Sequence, residues 1–188
     1  LVAKCYDTNH HLINMKPEDY FNKWDELIWY NDAPLGVPNE ILLAKMSEVL
    51  KKDITVVLSG EGADELFGGY GRIYRAFFEY SKVSESISFY DYFINKYEYV
   101  PRKIRNKYLN TSLNYRKEFD QLNVSSIFNK YSGQEAIFRF FFSTHIKGLL
   151  QRLDTTTMKA GVEGRTPFLD YKLVEYVFSE IPYNLKLK

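Results

Sequence analysis

Cysteine, histidine and long apolar runs are all scarce in this sequence. Of its 188 residues, one is cysteine (Cys5) and three are histidine. A disulfide scaffold is therefore excluded, and Cys5 with His10, His11 and His145 matches no zinc-site spacing. No apolar run approaches the roughly 20 residues that a membrane-spanning helix needs, and no signal peptide is recognisable. These absences lead us to expect a cytoplasmic protein that does not enter the membrane.

An excess of charge of either sign is also missing. Lys and Arg total 25, Asp and Glu total 24, and the net charge is +1. This balance gives no electrostatic reason to expect binding to nucleic acid or to an anionic membrane surface. Aromatic residues, in contrast, are abundant, with 16 Tyr, 14 Phe and 2 Trp. They concentrate between Phe77 and Phe142, where packing of helices is the simplest explanation.

The most informative run is residues 56–70, which read VVLSGEGADELFGGY. Val56–Leu58 predict a short strand that is buried on both faces of a parallel sheet. The loop that follows carries three carboxylates among small residues, Glu61, Asp64 and Glu65. Ligands of open α/β sheets bind beyond the carboxyl ends of strands, and clustered carboxylates suit Mg²⁺ held together with phosphates. A helix with acids in its first turn is the simpler alternative, but it leaves Glu61 unexplained.

The sequence before residue 72 predicts an α/β crossover. A strand over residues 1–6, a helix over 17–30, a helix capped by Asn39 and a strand over 54–58 follow one another. The first helix is expected to bury Tyr20, Phe21, Trp24, Leu27 and Ile28, and the second Leu42, Leu43, Met46, Val49 and Leu50.

From residue 72 onward the sequence predicts helices and no strong strand. Polar turns are expected at 106–114 and 121–126, and the clearest helix runs from Ile137 to Leu153. Residues 161–170 are rich in turn formers, and a last helix over about 171–179 is expected to be capped by Asp170. We therefore divide the domain 1–188 into an α/β part, 1–71, and a mainly helical part, 72–188.

Two segments resemble motifs of glutamine-dependent asparagine synthetase, in its synthetase domain. Ser59–Tyr70 matches the second nucleotide-site motif of that family almost letter for letter, and Gly161–Asp170 resembles its "VEARVPFLD" segment. Weaker likenesses lie at 7–11 and 30–34. The resemblance implies a partial doubly wound parallel sheet of the adenine-nucleotide α-hydrolase type, followed by a mainly helical half.

The family's first nucleotide loop, S-G-G-x-D-S, does not occur in this sequence, nor does the cysteine nucleophile of the N-terminal glutaminase domain. We therefore expect a fragment of a longer chain that makes no asparagine by itself.

The resemblance also implies the chemistry. In this family ATP adenylates the side-chain carboxylate of aspartate with release of pyrophosphate, and ammonia made from glutamine then displaces AMP. Carried over to this sequence, Glu61 is the general base, Ser59, Gly60 and Gly62 contact ATP, and Asp64 with Glu65 binds Mg²⁺ on the pyrophosphate. Arg165 and Asp170 are expected to be structural, as an ion pair or as residues that fix a turn.

One departure from the family concerns a lysine. Thr155 stands where the family usually carries a lysine that supplies positive charge during acyl transfer. Lys159 lies one helical turn further on and is our candidate for a second catalytic residue, although an ordinary surface lysine would also fit there.

Two alternatives stay open at this point. A related amidotransferase would act on another acid, such as a sugar, lactam or peptide carboxylate. A non-catalytic relative would bind a nucleotide or a partner protein. The sequence also leaves the oligomeric state open, and a homodimer is compatible with it.

Overall fold

The structure is a computed structural model that describes residues 1–83, 87–109 and 123–187. Its helices are α1 Val2–Cys5, α2 Pro17–Asn31, α3 Glu40–Leu50, α4 Ala63–Phe67, α5 Gly71–Tyr74, α6 Ala76–Tyr80, α7 Phe89–Tyr97, α8 Arg102–Leu109, α9 Val124–Lys130, α10 Gly133–Phe140, α11 Ile146–Lys159, α12 Tyr171–Ser179 and α13 Tyr183–Lys186. The strands are β1 Val56–Leu58 and β2 Glu163–Arg165, and short π and 3₁₀ turns cover Phe141–His145 and Pro167–Leu169.

The chain divides into two compact units. The first unit comprises Leu1–Leu58 with Gln151–Arg165, and the second comprises Ser59–Leu150 with Thr166–Lys188. The division of the sequence at residue 71 stays a prediction. Within the described residues, no helix combines the length and the apolar character that crossing a membrane requires.

The first unit contains a small parallel sheet and a helix pair. Strands β1 and β2 pair in parallel, with Val56 opposite Glu163. Helix α2 begins at Pro17, which suits a first helical turn because its missing N–H would have no partner there. Its core is small: Leu27, Ile41 and Ala44 are buried, and Met15, Tyr20, Trp24 and Leu35 pack partly against them.

Several expectations for this unit were wrong. Residues 2–5 form a short exposed helix instead of a strand. Phe21 of α2 is 69% exposed, although it was expected in the core. Helix α3 buries Ile41, Ala44 and Ser47 most deeply, whereas four of the five residues expected there are half-buried and Leu42 is 44% exposed. The face that contacts α2 therefore decides burial, and it is not the face with the largest side chains.

Two expectations about the strands and caps also fail. The Asn39 side chain makes no capping bond to α3. Strand β1 was expected to be buried on both faces, yet Leu58 is 70% exposed. Among the described residues, β1 has β2 as its only neighbouring strand. The sequence missed β2, since Glu163–Arg165 contains no β-branched or aromatic residue.

The second unit is helical and has an aromatic core. Its buried residues are Ile73, Tyr74, Ala76, Phe93, Val124, Ile137, Phe138, Phe140 and Phe141. The predicted helix over 137–153 is confirmed, with a π turn at 141–145 joining α10 to α11. Helix α12 is also confirmed, and the Asp170 carboxylate caps it by accepting bonds from the backbone N–H groups of Lys172 (3.0 Å) and Leu173 (3.3 Å).

The two predicted polar turns are replaced by helix where the structure describes them. Helix α8 covers 102–109 and α9 begins at Val124. The remaining parts of the two turns, 110–114 and 121–122, lie outside the described residues. The architecture is thus a mostly helical α/β fold with a two-stranded parallel sheet.

Candidate functional site

The acidic motif forms a tight turn and a short helix in the second unit. Glycine residues with positive φ bound α4 at both ends: Gly62 has φ 96° and Gly68 has φ 79°. In the loop before α4, the backbone N–H of Glu61 donates to the Ser59 hydroxyl over 3.3 Å. Since side chains other than hydrogen disfavour these φ values, the glycines are required by the turn itself.

Neighbouring side chains also require two of the glycines. A Cβ atom at Gly62 would lie 2.5 Å from Cδ2 of Leu169, and one at Gly69 would lie 1.7 Å from Oδ1 of Asp64. The rings of Phe67 and Phe168 meet edge to face with centroids 6.4 Å apart. The acidic turn therefore packs directly against Thr166–Asp170, so the structure brings these parts of the two sequence motifs together.

The three carboxylates of the turn differ in exposure. Asp64 is exposed and Glu61 is half-buried. Glu65 is only 1% exposed, and its carboxylate accepts a hydrogen bond of 2.5 Å from the Tyr70 hydroxyl. Burial raises the pKa of Glu65, and Tyr70 partly opposes this by bonding to the charged form. The three acids look equivalent in the sequence, but their exposure and hydrogen bonding make them chemically distinct.

Tyr70 connects Glu65 to the aromatic core. Its ring stacks on Phe141 with centroids 4.9 Å apart and meets the edge of His145 at 5.4 Å. His145 in turn shares a 2.7 Å hydrogen bond with the Tyr97 hydroxyl. Burial raises the pKa of Tyr70 and of Tyr97, the latter to about 12, so both hydroxyls stay protonated at neutral pH.

Lys159 and Thr155 lie in the first unit. Lys159 forms an ion pair and hydrogen bond with Glu26, and this bond holds the pKa of Glu26 below its ordinary value. The Thr155 hydroxyl donates back to the Gln151 carbonyl over 3.0 Å, within α11. Lys159 therefore has a structural partner, and its catalytic role stays a prediction.

Arg165 pairs with Glu163, with 2.8 Å between Nε and Oε1. Together with the capping bonds of Asp170, this pair supports the structural roles expected for both residues.

Sequence reasoning missed the partners of Glu65. The hydroxyls of Tyr70 and Tyr74 donate to the Glu65 carboxylate and to its backbone carbonyl, the latter over 3.4 Å. A signal was present, since Tyr70 closes the same motif five residues after Glu65 and the region is rich in aromatic residues. Tyr70 was treated only as the end of the nucleotide-site motif, and its hydroxyl was given no role.

Whether the site suits a magnesium ion can be judged from the side chains available to bind it. Among the residues that the structure describes, no cluster of three or more Asp, Glu, His or Cys side chains could hold a metal ion. Mg²⁺ is commonly bound by one or two carboxylates together with substrate phosphates and water. The exposed carboxylate of Asp64 fits that shared kind of site, whereas an all-protein cage is not formed by the described residues.

Comparison with known proteins gives a consistent result. The family model described as asparagine synthase matches residues 1–188. The glutamine-hydrolysing asparagine synthetase 1 of Bacillus subtilis is 30% identical over 93% of this chain, a match that covers 32% of the relative. Asparagine synthetase 3 of the same organism is 29% identical over 99% of this chain and 30% of the relative.

A shorter match is to an archaeal protein: the putative asparagine synthetase 2 of Methanocaldococcus jannaschii is 40% identical over 37% of this chain and 14% of the relative. The chain thus spans about a third of the length of the two Bacillus relatives. No solved structure matches it.

Proposed function

Because the chain belongs to the asparagine synthase family, we propose that it is part of an ATP-dependent ligase that activates a carboxylate and converts it to an amide. The observation that carries this proposal is the acidic turn packed against Thr166–Asp170, with an exposed Asp64 and a half-buried Glu61 beside a glycine-rich backbone. Clustered acids on a strand-to-helix turn are poor for stability without a ligand, and they suit a site that handles phosphates and protons.

We assign nucleotide contacts to Ser59, Gly60 and Gly62. The backbone at Gly60 is exposed, and a Cβ atom there would meet nothing within 4 Å. A ligand can therefore approach this peptide closely, and the Ser59 hydroxyl adds a donor at the same turn.

Asp64 is the group proposed to hold Mg²⁺. When bound, Mg²⁺ would neutralise charge on the departing pyrophosphate. Asp64 is suited to this task because its carboxylate is exposed while its backbone is fixed: the N–H groups of Gly68 and Gly69 donate to its carbonyl over 2.8 and 3.1 Å. The assignment of Glu65 to the same ion stays a prediction, and the burial of its carboxylate weighs against it.

Glu61 is the proposed general base that removes a proton from the attacking ammonia. Its half-buried place between two glycines allows a carboxylate to face a bound ligand without leaving water altogether. Lys159 stays a second catalytic candidate, which would supply the positive charge of the family lysine that Thr155 replaces.

The finer identity of the reaction is also proposed. We infer aspartate as the carboxylate, glutamine-derived ammonia as the nucleophile and a glutaminase domain elsewhere in the full-length chain, as the names of the relatives suggest. The partial sheet is proposed to belong to a doubly wound sheet of the adenine-nucleotide α-hydrolase type, and residues 1–188 alone are expected to be inactive.

The test uses the full-length protein and two substitutions. Asp64→Asn is expected to abolish Mg²⁺-dependent exchange of pyrophosphate with ATP in the presence of aspartate. Glu61→Gln is expected to retain exchange and to lose amide formation. Asp53→Asn, an exposed acid in the loop before β1, is the matched control and should behave as the unmodified protein.

Three outcomes would change the proposal. Equal exchange by Asp64→Asn would remove Asp64 from the metal role. Exchange that needs a different acid would favour an amidotransferase for a sugar, lactam or peptide carboxylate. ATP binding without exchange on any carboxylate would favour a non-catalytic relative.

A further inference from the structure

The carboxylate of Glu65 is enclosed by protein. It is buried and hydrogen-bonded to Tyr70, whereas the neighbouring Asp64 is exposed. A metal ion shared with phosphates requires a carboxylate that the ion and the phosphates can reach. Glu65 therefore has a different task from Asp64, although the two residues are adjacent in the sequence.

Tyr70 is held on several sides by the second unit. Its ring stacks on Phe141 and lies parallel to that of Tyr74 at 6.4 Å, with an interplanar angle of 3°. Tyr74 also donates to the backbone carbonyl of Glu65. Both the side chain and the backbone of Glu65 are thus tied to tyrosines of a packed aromatic core.

The same contacts reach Asp64 through the backbone. Residues 68 and 69 donate their N–H groups to the Asp64 carbonyl, and Gly69 immediately precedes Tyr70. The Asp64 side chain lies in the space that a side chain at Gly69 would fill. A displacement of Tyr70 would therefore shift Gly69 and, with it, the carboxylate of Asp64.

From this arrangement we infer that Glu65 and Tyr70 form a positioning pair, which anchors the acidic turn to the aromatic core and fixes Asp64 for its ligand. The inference rests on the proposed function, since it gives Asp64 the metal. Neither member of the pair touches the metal or the reacting atoms. Small displacements of groups that align a reaction are costly, so a pair of this kind affects the rate more than substrate affinity.

The kinetic test compares three substitutions in the full-length protein. Tyr70→Phe keeps the ring and removes the hydroxyl, and it is expected to lower kcat by about tenfold while KM for ATP stays within about twofold. Glu65→Gln keeps an oxygen acceptor for Tyr70 and should retain most of the activity, with an unchanged Mg²⁺ requirement. The matched control is Tyr80→Phe, since the Tyr80 hydroxyl donates to the Ile87 carbonyl (2.8 Å) in the same unit, and it should leave kcat unchanged.

Two kinetic results would overturn the inference. One is a Tyr70→Phe enzyme with the same kcat as Tyr80→Phe. The other is a Glu65→Gln enzyme that needs at least about tenfold more Mg²⁺ for half-maximal rate, as expected when a charged ligand to the ion is lost.

A second readout does not depend on activity. In protein labelled with carbon-13 at Glu and Asp carboxyls, Mg²⁺ with a non-hydrolysable ATP analogue should shift the Asp64 signal and leave that of Glu65 in place. Substitution Tyr70→Phe should shift the carboxyl signal of Glu65 in the absence of Mg²⁺, because the carboxylate loses its hydrogen bond. A Glu65 signal that follows Mg²⁺, or one that Tyr70→Phe leaves unchanged, would refute the pair. If the unmodified protein proved inactive, the effect of Tyr70→Phe on the Glu65 signal would still test the pair by itself.

Discussion

Among the described residues, each of the two units buries one glutamate, and the two side chains are satisfied in different ways. In the first unit Glu40 is 5% exposed, and its carboxylate accepts three N–H bonds, from Gly36 (2.8 Å), Val37 (3.0 Å) and the Asn31 side chain (3.4 Å). In the second unit Glu65 is 1% exposed, and its carboxylate accepts a side-chain bond from Tyr70. Glu40 fixes a loop through bonds to both of its carboxylate oxygens, whereas Glu65 carries a charge that its surroundings disfavour.

The cores around these glutamates also differ, in the number and the kind of their buried side chains. Around Glu40 the buried side chains are few and aliphatic, and the first unit exposes Phe21, Leu58 and Trp29. Around Glu65 aromatic rings contact one another in series, from Tyr74 through Phe141 to Phe140 and Phe93. From this comparison we infer that the second unit is stabilised mainly by its own core. The core of the first unit contributes less to the stability of that unit.

The largest expected effect tests this difference in cores. Replacing buried Phe141 with alanine should lower the free energy of unfolding by about 3–5 kcal/mol, because it removes a ring that contacts Tyr70, Tyr74 and Phe140. Phe21→Ala is the control and should change it by less than about 0.5 kcal/mol, since that ring is exposed. Urea denaturation of the full-length protein measures both. Equal losses would mean that Phe21 is covered by another part of the protein.

An effect of intermediate size concerns the two glutamates, and its sign should differ between them. Glu40→Gln should lower the free energy of unfolding by about 1–3 kcal/mol at neutral pH, because an amide offers one acceptor oxygen in place of two. Glu65→Gln should leave it unchanged or raise it at neutral pH. The reason is that the pKa of Glu65 is raised on folding from its ordinary value of 4.5.

The sign of the Glu65 effect depends on pH. Because the pKa of Glu65 is raised in the folded state, its protonation stabilises the folded protein. This stabilising contribution is fully present below pH 4.5, the ordinary pKa. That contribution is lost as the pH rises through the folded-state pKa. The advantage of Glu65→Gln should therefore appear in denaturation measured at pH 7 and disappear at pH 4. A loss of stability at both pH values would contradict the comparison.

The smallest expected effect concerns the Lys159–Glu26 ion pair of the first unit. A double-mutant cycle with Lys159→Met and Glu26→Gln should give a coupling of about 0.5–1 kcal/mol that weakens with added salt, as for other partly exposed pairs. The Lys45–Glu48 pair, with a longer separation of 3.9 Å and a more exposed lysine, is the control and should couple less. If Lys159→Met abolished amide formation and Glu26→Gln did not, the result would instead support the predicted catalytic role of Lys159.

The sequence was most informative where local signals act alone. Helices α2, α3 and α12 were predicted because proline, capping residues and apolar spacing lie within the segments themselves. Strand β2 was missed because its character comes from pairing with β1 and not from its own residues. The buried face of α3 was misjudged for a similar reason, since Ile41 and Ala44 are selected by contact with α2.

In the candidate site, too, local features could be predicted and tertiary contacts could not. The glycines and acids of residues 59–70 could be recognised from order and spacing alone. Which acid is buried could not, because Glu65 is bonded to Tyr70 and Tyr70 is held by Phe141, which is remote in the sequence. The partner of Lys159 was equally hidden, since Glu26 is remote in the sequence.

The pairing of β1 with β2 also has a consequence for the order of folding. Val56 and its partner Glu163 are separated by more than one hundred residues, whereas the contacts among α9, α10 and the π turn are nearly local. Closing a long loop costs more chain entropy than forming neighbouring helices, and non-local pairings form slowly. We expect the aromatic core to be established before the sheet closes. In pulse-labelled hydrogen exchange, the Glu163 amide, which donates to the Thr55 carbonyl, should become protected after the amides of α10.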